Sequence, residues 1–207
     1  CNSSKSSKKF NKNDKGRWVQ DDNGTNTVNG GAIFHQSGKS GPGVNVPENG
    51  TFTMYGGTIC GNIGTYSGGV YVQHGGTFNM SGNAAITGNT GPIYGGGVGV
   101  DGTFNMSGDA AITGNGSPRN GGGVYMTGGQ FTMNGGEISR NTTTKGNGGG
   151  VYVGGGTFTM KGSASITGNK TANDPYGGGV YVSGNGTFNM NDKASITDNT
   201  ANQGGGV

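Results

Sequence analysis

The sequence predicts an all-β protein, a single-chain parallel β-helix (solenoid) with three short strands per coil of ~27 residues and about seven coils. Three observations predict it. Apolar anchors recur in three series that keep step with one another: Val44, Val70, Val98, Val124, Val151, Val180 and Val207; Phe52, Phe78, Phe104, Phe131, Phe158 and Phe188; Ile59, Ile86, Ile112, Ile138, Ile166 and Ile196. Within each unit the pattern has period two, as in a strand: Val-Tyr-Val, Thr-Phe-Thr-Met and Ala-x-Ile-Thr each send apolar residues to one side. Gly, Asn, Ser and Pro separate these strands, and no window carries helical periodicity.

Composition alone points elsewhere. With 51 Gly in 207 residues, 28% hydrophobic and 11% charged residues, the chain would pass for low-complexity disorder. The periodicity removes that reading, and without Gly at every third position collagen is excluded. Few apolar residues suffice because a one-coil-wide prism needs about six inward side chains per turn, stacked on their copies ~4.8 Å away. Seven coils at that spacing make a rod about 34 Å long.

Along the chain, residues 1–17 form a polar, basic tether. They hold six of the 13 Lys and Arg and one acid, a net of +5, while residues 18–207 net −2. With no basic face on the rod and no recognised fold motif, nucleic acid is excluded as a partner. Residues 18–43 are a degenerate capping coil: "GRWVQDDNGTNTVNGGAIFHQ" aligns without gaps to "PGVNVPENGTFTMYGGTICGN", placing Trp18 on Val44, Asn26 on Phe52, Val28 on Met54 and Ile33 on Ile59. Residues 44–207 are the regular repeats, stopping at "GGGV" with an open strand edge, as expected of part of a longer repeat protein or of a subunit on which another continues the stack.

Two turn features recur. Asn62, Asn89, Asn115, Asn141, Asn169 and Asn199 each follow the repeat Ile by three residues. Asn tolerates left-handed backbone and bonds local backbone, so these six are expected to stack as a structural ladder. The Gly triplets mark a corner that needs positive φ or close backbone approach.

Candidate binding features lie on the outside. Tyr71, Tyr125, Tyr152 and Tyr181 share one outward column, broken by Gly99 and Asn45. Such a row is a candidate ligand-binding surface for sugars, set against the simpler fact that Tyr suits an exposed strand. The outward Thr pairs form a second array, interrupted by Asn in three strands and by Gln130 in a fourth, which resembles the Thr-x-Thr faces of insect antifreeze solenoids. The loops "TGPIY", "GSPRN", "TTTKGN" and "KTANDPY" differ most between units and emerge on one edge, where they can carry specificity.

No enzyme is expected. Glycoside hydrolysis needs two carboxylates about 5–9.5 Å apart, and Glu48, Asp101, Asp109, Glu137, Asp174, Asp192 and Asp198 place no two in one column of adjacent coils. His35 and His74 fall in different columns. No metal-ligand spacing is present, and no cofactor is expected.

Units such as "GGGVYVGGGTFTMKGSASITGNKTA" resemble the tandem parallel β-helix repeats of bacterial surface proteins, pectate-lyase-like in architecture, and "GGAI" at residues 30–33 is similar to polymorphic outer-membrane proteins, although the companion Phe-x-x-N is missing. The resemblance implies a right-handed coil and a stalk, scaffold or adhesin-like role at the bacterial cell surface, with self-association end to end or neighbouring glycans and proteins as partners. Cys1, followed by a Ser/Lys/Asn-rich stretch, resembles the acylated mature end of a bacterial lipoprotein, which would provide the only membrane attachment. Cys60 occupies an outward Thr position, where it needs no partner, so the reading does not pair it with Cys1.

Overall fold

A computed structural model describes residues 25–28, 31–34, 41–173 and 175–207; the tether and Trp18 lie outside these. Every paired strand is parallel to its neighbour, and no helix occurs among the described residues. Each strand pairs with its copy one coil on. The valine ladder links Val44–Val46, Val70–Val72, Val98–Val100, Val124–Met126 and the beginnings of Val151–Lys161 and Val180–Met190. The phenylalanine ladder runs from Thr25–Val28 through Thr51–Met54, Thr77–Met80, Thr103–Thr113 and Gln130–Ser139 into the ends of the same two long strands. The isoleucine ladder begins at Ala32–Phe34 and ends at Ser195–Thr197. The degenerate coil keeps the aligned register, with Asn26 on Phe52, Val28 on Met54 and Ile33 on Ile59.

The core is one continuous column. Phe78, Phe104, Phe131 and Phe158 are fully buried together with Met80, Met106, Met133, Met160 and the repeat residues Ile59 to Ile166 and Val70 to Val180. Phe rings stack 4.8, 4.5 and 4.6 Å apart along the middle of the rod, within 10° of parallel. Parallel in-register pairing enforces this, because identical side chains leave identical backbone positions one strand spacing apart. Each buried Phe, Met or Ile contributes roughly 1.5–3 kcal/mol. In the final coil this packing is one-sided: Met190 is 45% exposed where Met160 is wholly buried.

The architecture departs from three separate strands per coil in two respects. Four strands run through a corner expected as a turn: Thr103–Thr113 and Gln130–Ser139 join the Phe and Ile segments, and Val151–Lys161 and Val180–Met190 join the Val and Phe segments. The corners are absorbed as irregularities at Gly108/Ala111 and Val153/Gly155, as a β-bulge bends a strand without ending it. In addition, the loops of three coils pair as a short fourth ladder, Gly116–Ser117, Thr142–Thr143 and Lys170–Thr171.

The Gly triplet divides two demands between its members. Its first residue has positive φ, as at Gly121 (64°) and Gly148 (67°). Its third has no room for a side chain: a Cβ on Gly123 would lie 2.7 Å from the Gly150 carbonyl oxygen of the next coil. That close approach lets Val124 N–H reach the Gly150 oxygen at 2.9 Å and keeps the ladder in register.

Candidate functional site

The asparagines form an unbroken ladder, buried from Asn62 to Asn169 and half-buried at Asn199. Nδ2 of Asn62 donates to Oδ1 of Asn89 at 2.8 Å, and the link repeats from Asn89 to Asn115, Asn141, Asn169 and Asn199 at 2.9 to 3.0 Å. Each Oδ1 also accepts the backbone N–H of the preceding asparagine, as in Asn89 N–H to Asn115 Oδ1 at 3.0 Å. Nδ2 turns its other side to the Ile carbonyl one coil back, as Asn115 does to Ile86 at 2.9 Å. An amide carries two donors and a two-lone-pair acceptor on one short side chain, and here both ends are used. The ladder therefore satisfies turn groups that the corner removes from water, which buried backbone requires.

The tyrosine column is longer than the four residues legible in the repeats. Tyr125 and Tyr152 stack at 4.8 Å and 9°, and Tyr152 and Tyr181 at 5.4 Å and 21°. Gly99 does not break the row. Tyr94, from the loop before the Gly triplet, fills the gap, with its ring 5.4 Å from Tyr125, 6.2 Å from Tyr71 and 5.7 Å from Tyr66. Gly99 is small for this reason: a Cβ there would strike Ser67 Oγ and sit 2.9 Å from the Tyr94 carbonyl oxygen, the acceptor of the Ser67 hydroxyl. Tyr176 extends the other end, 6.3 Å from Tyr181. Repeat alignment missed Tyr66, Tyr94 and Tyr176 because none occupies the strand column. The available signal was that the one unit with Gly in that column has Tyr directly before its triplet.

Ring geometry limits what the column can do. Rings parallel and 4.8 Å apart along the axis cover one another's faces, so solvent meets mainly edges and hydroxyls. A sugar stacks on an open aromatic face, which the interior of this column does not offer. Burial, with smaller contributions from Asp101, Tyr94 and Tyr66, raises the Tyr71 phenol above its ordinary value. Burial, then Tyr152 and Tyr94, does the same for Tyr125.

On the Thr face, Thr51, Thr77, Thr103, Gln130, Thr157 and Thr187 align in one column. In the second column side chains bond to one another, Asn105 Nδ2 to Asn79 Oδ1 at 2.9 Å and Asn79 Nδ2 to Thr53 Oγ1 at 3.5 Å. Thr53 is buried despite its outward position. Cys60 differs further from expectation: it is 1% exposed and disulfide-bonded. The only other cysteine of the sequence is Cys1, which lies outside the described residues, as does His35.

No family model, curated protein or solved structure matches the chain. The parallel β-solenoid therefore stands on the geometry of this molecule alone. Among the described residues, no three His, Cys, Asp or Glu side chains are grouped to hold a metal ion.

Proposed function

We propose that this chain is a non-enzymatic structural or adhesin-type rod at the cell surface, working as a stalk or scaffold. The observation that carries the reading is the buried asparagine ladder, continuous from Asn62 to Asn199. Together with the Phe stack from Phe52 to Phe188 and the Tyr column from Tyr66 to Tyr181 it ties the regular coils together at three positions around the prism, which favours a stiff element that holds its surface features at fixed spacing. A disulfide at Cys60 suits an oxidising, extracellular setting, in line with the resemblance of the repeats to bacterial surface proteins. Each coil pairs in register with a near-identical copy of itself, a contact that a coil of a second molecule can also make, so the proposal includes end-to-end association.

Sedimentation of the intact chain over a wide concentration range, with electron microscopy of the same samples, tests the rod and its assembly. Rods that lengthen with concentration support it; compact particles of unchanging size overturn the assembly part. A glycan array tests the competing carbohydrate reading, and saturable sugar binding abolished by Tyr152→Ala would replace the structural role. A lipid on Cys1 and a disulfide from Cys1 exclude each other, because both use the same sulfur. Intact mass before and after reduction decides: an acyl mass supports tethering, and a gain of two hydrogens refutes it.

A further inference from the structure

Loops before the Gly triplets bond to their copies in neighbouring coils. Tyr94 N–H bonds the Tyr66 carbonyl at 2.7 Å, Thr144 N–H the Ser117 carbonyl at 3.1 Å, and Asn147 N–H the Asn120 Oδ1 at 2.8 Å. Between the loops of four successive coils lies an open groove of about 640 Å³, lined by Thr65, Pro92, Ile93, Pro118, Arg119 and Lys145. Its floor is apolar and its rim carries two exposed cations, neither paired with a carboxylate among the described residues. The next loop adds Lys170 on the same edge, so stacked loops gather a basic strip where the sequence led us to expect no basic face.

We infer that this groove binds an acidic peptide segment of a partner protein, with an apolar side chain against Ile93 and the prolines and flanking carboxylates on Arg119 and Lys145. Two features select this occupant. Unpaired Arg and Lys on a preformed wall attract carboxylates, and Arg presents a fork that matches one. The floor offers a glycan few donors. Pro92 and Pro118 have no N–H, and the Ile93 N–H is already bonded to the Tyr66 carbonyl at 3.3 Å. An aliphatic side chain needs no such partner and gains by leaving water, so the apolar floor favours it over sugar hydroxyls. The chain's own tether, at a net of +5, has the wrong charge for the site. This binding role goes beyond the positional role of the rod.

The test is selection of a phage-displayed library of random eight-residue peptides on the full chain, followed by fluorescence anisotropy with the enriched peptides. The groove variants are Arg119→Ser/Lys145→Ser and, separately, Ile93→Ser. All three side chains lie on loops outside the packed column, and circular dichroism checks that the fold persists. Expected are net-negative peptides with one or two aliphatic residues, bound at least tenfold more weakly by the double variant and more weakly by Ile93→Ser. Raising salt should weaken wild-type binding far more than the residual binding of the double variant. Absence of enrichment, enrichment of neutral or basic peptides, or peptides held equally well by the double variant (as binding to the basic tether would give) overturns the inference. So does a hyaluronan octasaccharide that binds with the same dependence on Arg119 and Lys145 while the peptides do not.

Discussion

Replacing Asn115 with alanine probes the ladder at its centre. Asn115 is buried, and its amide makes five hydrogen bonds. Oδ1 accepts from the Asn89 backbone N–H at 3.0 Å and Nδ2 at 2.9 Å. Nδ2 donates to Asn141 Oδ1 at 3.0 Å, Ile86 O at 2.9 Å and Thr113 O at 3.3 Å. In Asn115→Ala the Asn89 N–H is stranded in a buried site, and the Ile86 carbonyl loses the amide. A buried group left unpaired costs ~1–3 kcal/mol, so the loss should reach ~2–4 kcal/mol. Asn199, half-buried in the last coil, is the internal control: water can replace its partners, and Asn199→Ala should cost no more than ~1 kcal/mol. Urea unfolding followed by circular dichroism reads both, and hydrogen exchange at the Asn89 amide reads the stranded donor directly. Asn115→Asp sharpens the argument. One carboxylate oxygen would face three acceptors, disfavouring the charged form and raising the folded-state pKa above the ordinary ~3.9. A raised value means that the variant is most stable below about pH 4 and loses stability as pH rises through the folded value. At pH 7 it should be less stable than Asn115→Ala, with the gap narrowing near pH 4. If Asn115→Ala costs no more than Asn199→Ala, or if the Asn89 amide keeps its protection, the ladder does not carry the stability assigned to it.

Other perturbations separate the remaining layers. Phe131→Ala removes a ring held at 4.5 and 4.6 Å by its neighbours and should cost ~3–5 kcal/mol, against ~1–2 kcal/mol for the one-sided Phe188, both by urea unfolding. Thr171→Val should be neutral or stabilising by up to ~1 kcal/mol, because its buried hydroxyl has no partner; a clear loss of stability would reveal a bond that the geometry does not contain. Gly99→Ala should push Tyr94 out of the column, weakening the near-ultraviolet aromatic signal and costing ~1–3 kcal/mol. Tyr71 and Tyr125 should ionise above the ordinary tyrosine value of ~10 in an ultraviolet pH titration, each assigned by its Tyr→Phe variant. Their folded values are raised, so the stability they contribute is complete below about pH 10 and declines as pH climbs toward those values. Ionisation of Tyr71 and Tyr125 at or below that ordinary value in the folded chain would refute the burial argument.

The inner half of this protein was legible in its repeats, and the outer half was not. Val124, Phe131, Met133 and Ile138 could be placed from spacing alone, because a period-two pattern recurring at one coil length has a single arrangement that hides every apolar residue. Asn115 was legible as a ladder member for the same reason, although its two-sided bonding to Ile86 and Asn141 was not. Features built by the loops escaped. Tyr94 enters the aromatic column from a segment with no fixed length or register, and Ile93 meets Arg119 and Lys145 only after three coils have stacked.

Cys60 marks the boundary most plainly: a residue that alternation assigns to the outside is buried and disulfide-bonded, since period two sets the side of a strand and says nothing of what covers it. The sequence by itself determined coil length, register and core, all of which depend on contacts between identical neighbours. Only the tertiary structure decided ring orientation, the corner-turning strands, the fourth ladder and the basic groove. These depend on contacts between unlike loops, whose energies no internal repetition encodes.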